Sequence, residues 1–61
     1  MTLKQYMEYK QVSRIEMAQR LGISASGLDK ILAKVRTPRP ALMRKIIKET
    51  DDMVRVEDLL G

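Results

Sequence analysis

The feature that most constrains this chain is a glycine, Gly22, which separates two short amphipathic segments. Each segment begins with a serine, Ser13 or Ser24, a residue well suited to cap a helix. Glycine is typical of the position just past a helix end, because it adopts positive φ without a β-carbon clash. Only Ile23 lies between Gly22 and the second serine. The pattern therefore predicts two helices joined by a very tight turn.

The apolar spacing around this turn predicts how the two helices pack. Ala18 lies four residues before Gly22, and a small side chain there lets a crossing helix approach closely. Ile23 is expected to fill the core under the turn. Leu28 and Ile31 are then expected to hold the second helix against the first, with Leu32 and Val35 continuing the same face.

The start of the first of these helices carries a second prediction. Glu16 follows Ser13 by three residues, which indicates a capping box in which each residue bonds the backbone of the other. Ile15, Ala18 and Leu21 are expected to form the apolar stripe of this helix, with Met17 on its flank.

The remaining segments complete an all-α fold. Thr2 is the expected N-cap of an opening helix, Pro40 is the expected start of a fourth one, and Met53–Val56 is open between a loop and a short strand. No stretch shows sustained alternation, so we expect five short helices around one core in a single domain, residues 1–61. The predicted helices cover Leu3–Tyr9, Ser13–Leu21, Ser24–Lys34, Pro40–Glu49 and Glu57–Leu60.

Composition excludes several classes of function. The chain has 61 residues with no cysteine and no histidine, so it has neither a disulfide nor the usual zinc ligands. Its stability must come from helix packing or from association with a second copy. No glycine-rich phosphate loop and no signal peptide or membrane span is visible. We therefore expect a cytoplasmic protein that is not an enzyme and has no cofactor, metal or small-molecule substrate.

The charge is distributed unevenly along the chain. Residues 1–48 contain eleven of the twelve Lys and Arg residues and three of the eight acids, a net charge of +8. Residues 49–61 contain five acids and one arginine, a net charge of −4. A basic body followed by an acidic segment fits a polyanionic partner on one side of the domain, although a plain solvated surface would give the same composition.

The segment from Met17 to Leu28, MAQRLGISASGL, resembles the helix-turn-helix of the phage Cro and repressor family. Thr2-Leu3-Lys4 with Tyr6 is similar to the opening of lambdoid Cro proteins, and Arg39-Pro40 is similar to the link before the fourth helix of many relatives. The ending from Asp51 to Leu59 looks like that of the all-helical, YdaS-like Cro branch. The resemblance implies a lambda-repressor-like domain that binds double-stranded DNA with its third helix in the major groove.

The resemblance also assigns roles to individual side chains. It implies base contacts from the outer face of the third helix and phosphate contacts from its surroundings. Ser26 is open between base and phosphate, and Asp29 is open between a cytosine contact and a salt bridge with a nearby base. The implied base-reading residues are Ala25, Ser26, Asp29 and Lys30, and the implied phosphate-binding residues are Arg14, Gln19, Lys34, Arg36 and Arg39. The alternative is a plain solubilising charge for the four basic residues and a solvent-facing side chain for Gln19.

Two residues depart from the family pattern. Gly27 lies in the first turn of the third helix, where a better helix former is usual; it reflects either tolerated drift or close approach of the backbone to DNA. Ala25 stands where relatives often have glutamine, which replaces an adenine contact by a methyl group suited to thymine.

One helix reads only a few base pairs, so the resemblance implies a homodimer, formed in solution or only on DNA, on a pseudo-palindromic operator. A Cro-like repressor is the resulting expectation. The alternative is a helix-turn-helix fold used as a protein–protein interaction or antitoxin module, because a fold does not fix a function.

Overall fold

The computed structural model describes residues 1–60, which form five α-helices and contain no strand. The helices are α1 (Leu3–Lys10), α2 (Arg14–Leu21), α3 (Ala25–Leu32), α4 (Pro40–Glu49) and α5 (Val56–Leu60). The predicted all-α class is confirmed. The strand considered for Met53–Val56 is not formed, because its first three residues continue the turn after α4 and its last begins α5.

The first three helices are capped by a hydroxyl side chain. The Thr2, Ser13 and Ser24 hydroxyls each accept a hydrogen bond from the backbone N–H three residues ahead, at 3.0–3.1 Å. All three were predicted as N-caps, and each satisfies one of the free amides of a helix start.

The reciprocal half of the capping box forms at α1 and not at α2. The Gln5 side chain accepts from the Thr2 N–H at 2.9 Å, which completes a box at α1. Glu16 instead accepts from the Arg20 guanidinium at 3.2 Å, one turn further along α2. The predicted box at Ser13 is therefore half correct, because an ion pair within the helix competes for the glutamate.

Four helices end with the same backbone arrangement. Each is followed by a residue with φ between 54° and 70° in the left-handed region: Gln11, Gly22, Lys34 and Asp51. The N–H of the next residue bonds a carbonyl five residues back, at 2.9–3.0 Å in all four cases. This is the Schellman motif, and it satisfies carbonyls that the helix end would leave free. Only the second of the four positions is a glycine.

The core is built from one face of each of the first four helices and from the loop before α5. α2 packs against α3 and α4, and α4 packs against α5. The fourth residue of each of the first three helices, Tyr6, Met17 or Leu28, is buried. The buried apolar residues are Leu3, Tyr6, Met7, Met17, Ala18, Leu21, Leu28, Ile31, Ile46 and Val54.

Two predicted core residues lie on the surface. Ile15 is 65% exposed, because the buried face of α2 is centred on Met17 and Leu21, and Ile15 lies on the opposite side of the helix. Val35 is 76% exposed, because α3 ends at Leu32 and the left-handed residue Lys34 breaks the helical periodicity. Both residues match the spacing of an apolar helix face. In the folded chain, other residues of that face form the core.

Candidate nucleic-acid interface

The corner between α2 and α3 is closed by backbone hydrogen bonds around Gly22. Its φ is +70°, its N–H bonds the Gln19 carbonyl at 3.2 Å, and the Ile23 N–H bonds the Ala18 carbonyl at 3.0 Å. The chain then needs only one more residue, Ser24, before α3 begins. The sequence prediction of a very tight turn is confirmed.

This corner determines which side of α3 is buried. Ala18 of α2 is 3% exposed, and Leu28 and Ile31 of α3 are 0% and 7% exposed, so these residues form the inner face. The outer face contains all four predicted base-reading residues. Ser26 and Lys30 are exposed, and Ala25 and Asp29 are half-buried. None of the four is sequestered in the core, as the predicted role requires.

An ion pair joins the start of α2 to this outer face. Arg14 Nη1 donates to Asp29 Oδ1 at 2.6 Å, and the two side chains are 61% and 44% exposed. The salt bridge that the sequence left open for Asp29 is therefore present, and its partner is a predicted phosphate-binding residue. One predicted base-reading residue and one predicted phosphate-binding residue thus touch each other.

Two further predicted phosphate-binding residues lie on the other side of α3. Arg36 and Arg39 are exposed and line one groove together with Ser24 and Gly27 from the first turn of α3. The N-cap of α4 is Arg39, which makes no side-chain cap within residues 1–60. The first turn of α4 therefore keeps free N–H groups beside two guanidinium groups, and such an arrangement favours an anion.

The other two predicted phosphate-binding residues differ in their surroundings. Gln19 is exposed on α2. Lys34 is exposed, but it is close enough to α5 to help lower the pKa of Asp58, so part of its positive field is compensated there. The structure brings Arg14 next to the outer face of α3 and brings Arg36 and Arg39 together in one groove beside α3, whereas Lys34 lies near Asp58 of α5.

Gly27 has a local structural role in addition to the two considered from sequence. A β-carbon built on Gly27 would lie 3.2 Å from the Ser24 hydroxyl oxygen, the atom that caps α3 by accepting the Gly27 N–H. That contact is tight, so any side chain would push the capping hydroxyl aside by a few tenths of an ångström. The absence of a side chain at Gly27 leaves room for the Ser24 cap. It also brings the backbone of α3 close to the groove beside Arg36.

Sequence reasoning missed two contributors to this region. Lys45 of α4 reaches the end of α2, and its ammonium would lie 3.2 Å from a β-carbon at Gly22. A cation at the carboxyl end of a helix is favourable, so Lys45 stabilises the corner. Ile15 is the second, exposed beside Arg14 rather than buried. Lys45 could not be singled out from the sequence, because it is one of several basic residues on the polar side of α4.

Two other features are not found in the part of the chain that the structure describes. Residues 1–60 hold no group of three or more acidic, cysteine or histidine side chains that could bind a metal. None of their helices has both the length and the apolar surface to cross a bilayer.

Comparison with protein-family models, with curated proteins and with solved structures finds no match to this chain.

Proposed function

We propose that this chain is a sequence-specific DNA-binding transcription regulator with a lambda-repressor-like helix-turn-helix. In this proposal α3 enters the major groove of double-stranded DNA, and the chain acts as a Cro-like phage repressor in the cytoplasm of a bacterial host. The observation that supports it best is the tight corner at Gly22, which buries Leu28 and Ile31 and leaves Ser26 and Lys30 exposed on the opposite side of α3.

The base contacts are assigned by side-chain chemistry. Lys30 is long and exposed, and it donates to guanine O6 and N7. Ser26 donates or accepts, Ala25 offers its methyl group to thymine, and Asp29 accepts from cytosine N4. Each good base contact discriminates by about 1–3 kcal/mol.

The phosphate contacts flank the reading face. Arg14 at the start of α2 binds the backbone on one side of α3, and Arg36, Arg39 and the free amides of α4 bind it on the other. Gln19 and Lys34 add contacts at the edges. These groups supply affinity and salt dependence and little sequence information.

The proposed assembly is a homodimer on a pseudo-palindrome. Two copies of α3 then read half-sites about 34–36 Å apart. The exposed apolar residues Met53, Val56 and Leu60 lie on the acidic segment that ends the chain, and their negative surroundings keep this surface away from phosphates. This makes the end of the chain the candidate dimer surface.

Selection from a pool of random duplexes, followed by binding measurements across a salt series, tests the proposal. We expect enrichment of a site with two-fold symmetry and a steep loss of affinity as salt rises. On that site K30A should lose at least about fivefold in affinity and relax one base position. K48A is the matched control, because Lys48 lies beside Asp51 and Asp52 at the end of α4; it should change affinity less than about twofold.

The combined variant R36A/R39A should behave differently from K30A. It should weaken binding to every sequence and reduce the salt slope by about two, since two phosphate contacts are lost. If the wild-type chain binds neither the selected pool nor random duplex at low salt, the DNA-binding proposal is wrong.

A second candidate function is an interaction or antitoxin module, and one observation favours it. Ile15 of α2 and Val35 after α3 are 65% and 76% exposed. Contact with an apolar partner surface would remove these side chains from water, whereas contact with a phosphate backbone would not. Under this candidate the chain binds no duplex even at low salt, and I15S and V35S abolish binding of its protein partner.

A further inference from the structure

The Arg14–Asp29 ion pair connects two side chains with different roles in the proposed DNA binding. Arg14 is assigned a phosphate contact and Asp29 a base contact. Arg14 is the first residue of α2 and Asp29 is the fifth residue of α3, and their side chains meet at 2.6 Å. Fifteen residues separate them along the chain. The contact exists because the corner at Gly22 brings the start of one helix beside the middle of the next.

This pair adds little to folding stability. Both side chains are substantially exposed, and exposed ion pairs are screened by water and salt. The one contact between Nη1 and Oδ1 leaves the other N–H groups of Arg14 and the second oxygen of Asp29 without a protein partner in residues 1–60. These atoms are accessible to a ligand that approaches the outer face of α3.

The neighbours of the pair do not compensate either charge by themselves. Lys4 and Glu8 of α1 line the same groove as Arg14 and Asp29, and the positive charge of Lys4 offsets the negative charge of Glu8. Asp29 is the only acidic residue between Glu16 and Glu49, within a strongly basic segment. An approaching phosphate is repelled by this carboxylate as long as nothing neutralises it.

We propose that this pair couples phosphate binding to base reading, an inference that rests on the proposed DNA-binding function. On non-cognate DNA, Arg14 stays on Asp29 and neutralises it, so the carboxylate neither repels phosphates nor reads a base. On the cognate site, Arg14 moves to a phosphate and Asp29 accepts from cytosine N4. The exchange is favourable only where a base-edge donor replaces the guanidinium, because an uncompensated carboxylate in the groove is penalised. Asp29 is therefore a specificity residue controlled by Arg14.

The test measures affinity for two duplexes of equal length, one with the site selected by the wild-type chain and one of random sequence. D29N should bind the random duplex about threefold more tightly, since Arg14 is released from Asp29 and can bind a phosphate. It should bind the selected duplex at least about fivefold more weakly. Selection repeated with D29N should lose a cytosine preference at one position of each half-site.

The coupling is measured with a double-mutant cycle on the random duplex. R14Q should lose at least about tenfold, because it removes a positive charge near the phosphates and leaves the Asp29 carboxylate without the guanidinium that neutralises it. R14Q/D29N should recover at least about fivefold of that loss. The two effects are then non-additive, because the loss of Arg14 weakens DNA binding mainly while the Asp29 carboxylate is present.

The Arg20–Glu16 pair provides a matched control on the same helix. It also joins a guanidinium to a carboxylate, at 3.2 Å, and the two side chains are 40% and 50% exposed. Its mutations change the charge by the same amounts as those of Arg14 and Asp29. E16Q, R20Q and E16Q/R20Q should be additive on both duplexes and should leave the selected sequence unchanged. Thermal unfolding midpoints of all variants should remain close to wild type.

The outcomes separate this inference from the function on which it rests. If wild type binds DNA but D29N keeps the cytosine preference, or the Arg14–Asp29 cycle is as additive as the control, the coupling is overturned and the DNA-binding function stands. If wild type binds no DNA, both proposals are overturned.

Discussion

The corner after α2 and the corner after α4 close with the same backbone hydrogen bonds and rely on different side chains. After α2, the left-handed position is Gly22, and α3 is capped two residues later. After α4, two successive aspartates, Asp51 and Asp52, have φ of 54° and 65°. The buried hydroxyl of Thr50 then bonds the loop that leads to α5.

The difference shows what each corner has to accommodate. At Gly22 the neighbour that an added β-carbon would meet is the flexible Lys45 ammonium at 3.2 Å, so the positive φ is the main constraint on this position. Asp51 and Asp52 are exposed, as Gly22 is, but they adopt positive φ with a β-carbon present and so incur the backbone strain that glycine avoids. The first corner positions a candidate reading helix, whereas the second ends the basic body and begins the acidic segment.

The largest expected effect is at Thr50. Its hydroxyl donates to the Ile46 carbonyl at 2.8 Å and accepts from the Val54 N–H at 3.3 Å, and the residue is fully buried. T50V keeps the shape of the side chain but leaves the Val54 N–H without a partner. We expect a loss of about 1–3 kcal/mol in the free energy of unfolding, measured by urea denaturation.

T50S keeps the hydroxyl and is the control for this prediction. It should remain more stable than T50V, although it lacks a buried methyl group. Equal stability of the two variants would show that the hydroxyl does not hold the second corner together.

The next largest effect is at Gly22. G22A places a β-carbon at φ +70° and 3.2 Å from the Lys45 ammonium, so we expect a loss of about 1–2 kcal/mol in the free energy of unfolding. Q11A is the matched control, because Gln11 already adopts φ 54° at the end of α1 with a β-carbon present. Urea denaturation should show little change for Q11A.

The reverse substitution at the other corner sharpens the comparison. D51G relieves the left-handed strain and should raise the unfolding free energy by about 0.5–1 kcal/mol. If G22A is as stable as wild type while D51G is destabilising, the account of the two corners is reversed and must be abandoned.

The smallest effect is a pH dependence at the start of α5. The Arg55 N–H, which donates to the Asp58 carboxylate at 3.0 Å, is the main reason that the pKa of Asp58 is lowered, and the N-terminal ammonium at 3.3 Å adds to it. A lowered pKa means that the stabilisation is present above the usual value of 3.8 and is lost as the pH falls through the lowered value.

Thermal unfolding between about pH 6 and pH 2 measures this effect. The midpoint of D58N should be slightly below that of wild type at neutral pH, and the two should converge in acid. E57Q is the control, since Glu57 makes no side-chain hydrogen bond in the described residues; its difference from wild type should not follow that pattern. Parallel curves for wild type and D58N would contradict the role assigned to Asp58.

Much of the candidate site was predictable because local signals fix helix ends. Ser13, Ser24 and Gly22 each impose a backbone conformation within a few residues, so α2, α3 and the turn between them follow from the sequence. The exposure of Ser26 and Lys30 follows from the same spacing, since the opposite side of α3 carries Leu28 and Ile31. The left-handed positions at Gln11 and Lys34 carry no such signal, because glutamine and lysine have no preference for positive φ.

The sequence alone determined the helices, their order and the polar side of α3, because capping and apolar periodicity act over three to eight residues. Only the tertiary structure decided that Ile15 faces solvent, that Thr50 is buried, and that Arg14 neutralises Asp29. Those outcomes depend on which faces meet across the corners, and contacts between residues fifteen apart are set by packing rather than by any local pattern.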